Sequence, residues 1–105
     1  MDEHLQQREE AWVGDAVLAL FAREWILSHP QLERQLDRQS LFTRLTCNQF
    51  LSGLGEPTAV EAAIARRYRE EGLQATFAWL EAEIIPRFEK QLHRRHKGGR
   101  KVGPK

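Results

Sequence analysis

The run from Ala11 to Ala22, AWVGDAVLALFA, constrains this chain more than any other stretch. Eleven of its twelve residues are apolar or glycine, and the twelfth is Asp15. Apolar residues cover nearly every face of a 3.6-residue repeat, which predicts a central helix buried on most sides. A lone carboxylate on such a helix takes up a proton, meets a cation from elsewhere, or holds a metal. The nearest cations in sequence, Arg8 and Arg23, lie about two turns away in either direction. The partner therefore has to come from another part of the fold, a second chain or solvent. Two readings of Asp15 stand side by side: a bond to a distant Arg or to backbone amides, and a metal ligand. Gly14 favours a site. Glycine within a helix costs about 0.5–1 kcal/mol relative to alanine, and beside the only charge it marks the close approach of another backbone or a ligand.

Around this run nearly every segment reads as helix, with no repeat and no strand-like alternation. The first helix is expected from about Leu5 to Leu27, stopping before Pro30, with Trp12, Leu20, Phe21 and Trp25 giving bulk to the core. Pro30 to Asp37 reads as a short helical turn or linker. Ser40 is the expected N-cap of a helix from Leu41 to about Leu54, which Gly53 and Gly55 end. Pro57 opens another helix that runs to about Glu71 and is closed by Gly72. Leu73 to Ile85 is the last expected core helix, with Phe77, Leu80, Ile84 and Ile85 inward and Pro86 kinking or ending it. At 105 residues and 41% hydrophobic content this is one all-α domain of about four or five helices. The expected division is 1–96 for the helical domain and 97–105 for a basic, flexible tail.

Charge is unevenly spread. Eight Lys or Arg against one Glu make residues 87–105 +7, and the eight basic and fourteen acidic residues before them leave residues 1–86 at −6. An acidic globule with a basic end suits a nucleic-acid-binding protein with a carboxylate-lined body, and suits a solubility tail nearly as well. Cys47 is the only cysteine, which excludes an intrachain disulfide and a thiolate metal cluster, and it reads as a small buried hydrophobe. His93 and His96 stand in a basic surrounding that repels cations, and His4 and His29 read as surface residues. The apolar runs are too short to span a bilayer and the first residues are polar, so a cytoplasmic protein with no membrane partner is expected.

Thr58-Ala59-Val60-Glu61-Ala62 is the second informative stretch. Its ordinary reading is a capping box, with Glu61 reaching back to the Thr58 amide. Its neighbours suggest more. Trp12-Val13-Gly14-Asp15-Ala16-Val17-Leu18 resembles the signature helix of the ribonuclease III family, in which the Asp is a divalent-metal ligand. Val60-Glu61-Ala62, followed by Ile64, Tyr68 and Gly72-Leu73, resembles that family's second signature, in which the Glu is the other essential ligand. Leu41-Phe42-Thr43-Arg44-Leu45, Asn48 and Phe50-Leu51 resemble the helix between them. The three matches occur in the family's order over about residues 11 to 80. Two further acidic positions of the full-length enzymes are Ala11 and Thr58 here; both replacements resemble the short Mini-III class, which has no double-stranded-RNA-binding domain.

The resemblance implies a compact, shortened ribonuclease III-like endonuclease domain. It implies a homodimer that cleaves double-stranded or structured RNA, with ribosomal RNA processing as the suggested role. Asp15 and Glu61 would be catalytic metal ligands for Mg²⁺ (or Mn²⁺), supported by Gly14 and Thr58, and Thr58 would bond a water. Duplex RNA is recognised by shape, 2′-hydroxyls and phosphates, and the contacts would come from Arg94, Arg95, Lys97, Arg100 and Lys101. Two other functions fit the same residues: an inactive ribonuclease III-like RNA-binding protein associated with the ribosome or its assembly, and a helical protein-interaction module.

Overall fold

The computed structural model describes residues 3–102, and the side chains of residues 3–93. The described residues are all-α. In order they form α1 (Glu3–Leu27), a 3-10 turn (Pro30–Arg34), α2 (Arg38–Thr46), α3 (Asn48–Leu51), α4 (Pro57–Glu71) and α5 (Leu73–Val102). α1 and α4 are the most extensively packed pair, and α2 and α5 cover the remaining flanks of α1.

α1 buries one face rather than most of its surface. Ala11, Gly14, Val17, Leu18, Phe21, Ala22, Trp25 and Ile26 point into the protein at the three- and four-residue spacing of a single stripe. The expectation that Trp12 and Leu20 supply the core is corrected: Trp12 is 80% exposed and Leu20 is also exposed. Asp15 and Ala16 lie on the exposed side as well. The apolar run is therefore two-sided, one side filling the core and the other facing outward. Asp15 needs no buried counter-charge.

The core is completed by Leu41 and Leu45 of α2, Phe50 and Leu51 of α3, Ile64 of α4, and Leu80, Ile84, Ile85, Phe88 and Leu92 of α5. Phe88 meets Trp25 edge-on at 5.8 Å between ring centroids and Phe50 at 6.0 Å, which ties α5 to α1 and α3. Cys47 is half-buried between α2 and α3, packed against the core.

Three local expectations change. Asp37, not Ser40, caps α2: its carboxylate accepts from the Ser40 amide at 3.2 Å and from the Ser40 hydroxyl at 2.6 Å, which holds the carboxyl below its usual range. The helix expected from Leu41 to Leu54 is broken at Cys47, whose extended backbone separates α2 from the single turn of α3. Pro86 does not end α5. It and Ala82, the residue whose carbonyl loses a bond to the missing N–H, are both exposed, so water takes the place of that bond. Helical backbone continues to Val102, and the boundary drawn at residue 96 falls inside α5. The helix gains Phe88 and Leu92 as core residues by continuing.

Of the glycines in the described fold, Gly14 has the closest neighbour. A Cβ built there would fall within the Glu61 carbonyl group of α4. Only glycine lets the two backbones sit this close. Ala62, Ala65 and Ala11, all buried, keep the rest of the seam thin, and Arg66 of α4 bonds Glu10 of α1 at 2.8 Å along its edge. Gly14→Ala should therefore destabilise the protein by about 3 kcal/mol, the upper range for overpacking a close contact. Urea unfolding would measure it, and a loss under about 1 kcal/mol would contradict the packing described here.

Candidate functional site

α4 begins with Pro57 at its first position, capped by Glu56 rather than by Thr58. The Glu56 carboxylate accepts from the amides of Ala59 at 2.9 Å and Thr58 at 3.2 Å, and these bonds hold it below the usual carboxylate range, the Ala59 amide contributing most. The capping box is thus corrected. With the first-turn amides served by Glu56, Glu61 is left free to face α1.

It faces Asp15. Because Gly14 and the Glu61 backbone touch, the side chain of Glu61 and that of the next residue on α1 emerge at the same edge of the seam. Both side chains line one recess, and Asp15 acts on the Glu61 carboxyl through its charge and through a hydrogen bond that favours the protonated form. Glu61 is half-buried and its pKa is pushed up to about 7, first by burial, then by the negative charge of Asp15 and the hydrogen bond to it, with Glu56 adding a smaller push. Among the described residues no Lys or Arg forms an ion pair with either acid to offset this.

Asp15 and Glu61 open onto a shallow recess of about 360 Å³ that also includes Arg8, Ala11, Trp12 and Thr58. Of the residues singled out in the sequence, Asp15, Glu61, Thr58 and Ala11 line this recess and Gly14 sets the approach beneath it. Arg8 and Trp12 were not foreseen there. Arg8 lies seven residues before Asp15, two turns along the same side of α1, and that spacing was the available signal. The side chains of Arg94, Arg95, Lys97, Arg100 and Lys101, expected to contact RNA, lie outside the described residues.

The donor set suits a hard divalent cation. It offers two carboxylates from facing helices, one of them pushed up first by burial and then by the other's charge, beside a hydroxyl and open to solvent. Mg²⁺ keeps several waters and needs only one or two protein carboxylates. Among the described residues no group of three or more His, Cys, Asp or Glu assembles, so water would complete the shell where Ala11 and Thr58 supply no charge.

No family model matches this chain, and no curated protein or solved structure matches it. No helix among the described residues is long and apolar enough to cross a membrane.

The raised Glu61 carboxyl has a defined consequence for stability. Between its ordinary value of 4.5 and about 7 the folded protein holds a proton that the unfolded chain releases. Its contribution is full below about 4.5 and lost as pH rises through 7. The melting temperature of the wild type relative to Glu61→Gln should fall from pH 4.5 to 8. Mg²⁺ should raise the wild-type melting temperature at pH 8 and not at pH 5. A wild-type advantage that grows with pH in the absence of Mg²⁺ would contradict the apposed acids.

Proposed function

We propose that this protein is a divalent-metal-dependent endoribonuclease acting on double-stranded or structured RNA as a homodimer. The observation that carries the reading is the convergence of Asp15 and Glu61 from two helices onto one solvent-open recess. Two acids forced together without a counter-charge raise their own energy, which favours a function that supplies a cation. A bound Mg²⁺ or Mn²⁺ would provide charge neutralisation and electrophilic assistance at a phosphodiester. The chain's own residues have separable parts in this. Asp15 and Glu61 hold the cation in their ionised forms, which links its binding to pH. The Thr58 hydroxyl can orient a water at the recess wall, and Arg8 at the mouth offers a charged fork to a non-bridging phosphate oxygen.

Cutting both strands of a duplex needs two such sites, and the outward side of α1 supports a paired arrangement. Leu5, Trp12, Leu20 and Leu27 are four of the six exposed large hydrophobics among the described residues. With Ala16 they span an arc of about 80° on one side of the helix, at 100° per residue. An antiparallel copy of α1 crossing at Ala16 sets Trp12 against Leu20 and Leu5 against Leu27. The same register sets Glu9 against Arg23, the charged residues that fall within this arc. Ala16 at the crossing lets the helices approach, and each Asp15 then flanks the two-fold axis.

Incubation of a labelled RNA duplex with Mg²⁺ tests the proposal. The wild type should cleave, and Asp15→Asn and Glu61→Gln should each lose at least about a hundredfold in rate, the scale of removing a ligand-type contribution of about 3 kcal/mol. RNA binding with no cleavage by the wild type would leave a non-catalytic RNA-binding protein on this framework, and absence of RNA binding at low salt would leave a protein-interaction module. Trp12→Glu should convert a dimer to a monomer in sedimentation equilibrium and reduce paired cuts to single nicks. A wild type that is monomeric at micromolar concentration would remove the dimer.

A further inference from the structure

Away from the acid pair, α5 and the end of α3 enclose a polar recess of about 370 Å³. Its polar wall is formed by Gln49, Ser52, Gly53, Arg87, Lys90 and Gln91. It contains two cations, two amides and a hydroxyl, and no carboxylate. This is unusual in a body whose first 86 residues carry −6.

Arg87 is held in place. Its Nη2 donates to the Gly53 carbonyl at 2.8 Å, and the guanidinium occupies the space that a Cβ at Gly53 would take. A guanidinium carries five donors, and this bond spends one, fixing the plane of the fork while the side chain stays exposed. Lys90, one turn along α5, is exposed and makes no hydrogen bond or ion pair with the described residues. Gln49 and Gln91 flank the pair with neutral polar groups, and no acid competes for either cation within the recess.

The helical register extends this arc. Backbone positions 94, 97 and 101 follow 87 and 90 along α5 within about 80° of one another, at 100° per residue. Each is Arg or Lys in the sequence. Basic residue types recurring every three or four positions of one helix match a polyanion with regularly repeating charges better than a single small anion.

We propose that Arg87 and Lys90, in the recess between α3 and α5, form a binding site for the sugar–phosphate backbone of RNA, separate from the Asp15–Glu61 recess. Arg87 is the fixed anchor, presenting two N–H groups to a phosphate. Lys90 supplies a mobile charge to the next phosphate, and Gln49 and Gln91 can bond a 2′-hydroxyl. This inference rests on the RNA reading above, but it concerns binding alone and needs no cation.

The test is a salt titration of affinity for a 20-base-pair RNA duplex in EDTA, where cleavage cannot intervene. Removing one cation that neutralises a phosphate should lower the slope of log affinity against log salt by about 1. Lys90→Gln should lower it by about 1, and Arg87→Gln with Lys90→Gln by about 2, with the weakening uniform across duplex sequences. Lys90 supports no other interaction, so the single variant remains informative if the double variant unfolds. An unchanged slope in both would overturn the site. In amide NMR spectra, RNA should shift Ser52 and Gly53; shifts caused by inorganic phosphate and none by RNA would also overturn it. A lowered slope in the variants of a protein that never cleaves RNA would leave this site standing while ending the nuclease reading. Cleavage by the wild type with an unchanged slope in the variants would do the reverse.

Discussion

The contact between Gly14 and the backbone of Glu61 determines where everything else in this protein can sit. Helices usually pack 8–10 Å apart because side chains separate them. Here a glycine meets a carbonyl and the buried alanines at 11, 62 and 65 keep the neighbouring seam thin. The side chains adjacent to that contact have nowhere to go but the edges. Asp15 follows Gly14 in sequence, and Glu61 carries the contacting carbonyl, so their carboxyl groups emerge together. The acid pair is a geometric consequence of this close packing. Larger groups would push the helices apart and separate the acids with them.

That arrangement is locally unfavourable, and the rest of the core holds it. Burial and a like charge push Glu61 up to about 7, while Leu18, Ala22, Ile64 and Leu80, all fully buried around α1 and α4, supply the apolar stabilisation that keeps the seam closed. Arg66 of α4 is spent on Glu10 of α1. Arg8 lines the recess, but among the described residues it forms no ion pair with either acid. A site built in this way has a standing electrostatic deficit that an incoming cation relieves.

The helical class was legible in the sequence because it depends on short-range patterns. Glu61 as the neighbour of Asp15 was suggested only by the resemblance to ribonuclease III, the local pattern reading Glu61 as half of a capping box. Apolar spacing, a glycine within a helix and an acid beside it all have direct physical meaning. What the sequence did not decide were competitions between equivalent local solutions. Thr58 and Glu56 are both able to serve the first amides of α4, and only the backbone ahead of Pro57 selects Glu56. Asp37 and Ser40 posed the same choice at α2, where they bond each other. Pro86 looked like a stop because its exposure, which lets water replace the missing bond, is a tertiary property. The burial of α1 was misjudged for another reason. An apolar residue facing the core and one on the outside of a helix have the same sequence signature, and Trp12 belongs to the second kind.

The division of charge brings these features into one account. A phosphodiester approaching Asp15 and Glu61 meets repulsion from both ionised acids, screened only over about 8–10 Å at ordinary ionic strength. Two things can offset that repulsion. One is a cation between the acids, which reverses the local sign over a few ångströms. The other would be favourable contact with the same polyanion at a separate recess, the one that Arg87 and Lys90 line. Neither substitutes for the other. A local cation gives no grip on a long duplex, and remote cations do not neutralise charge at the bond to be broken. Acidic residues concentrated at one recess and basic residues concentrated along one helix are what a protein needs when it must hold a polyanion and also bring two carboxylates against it.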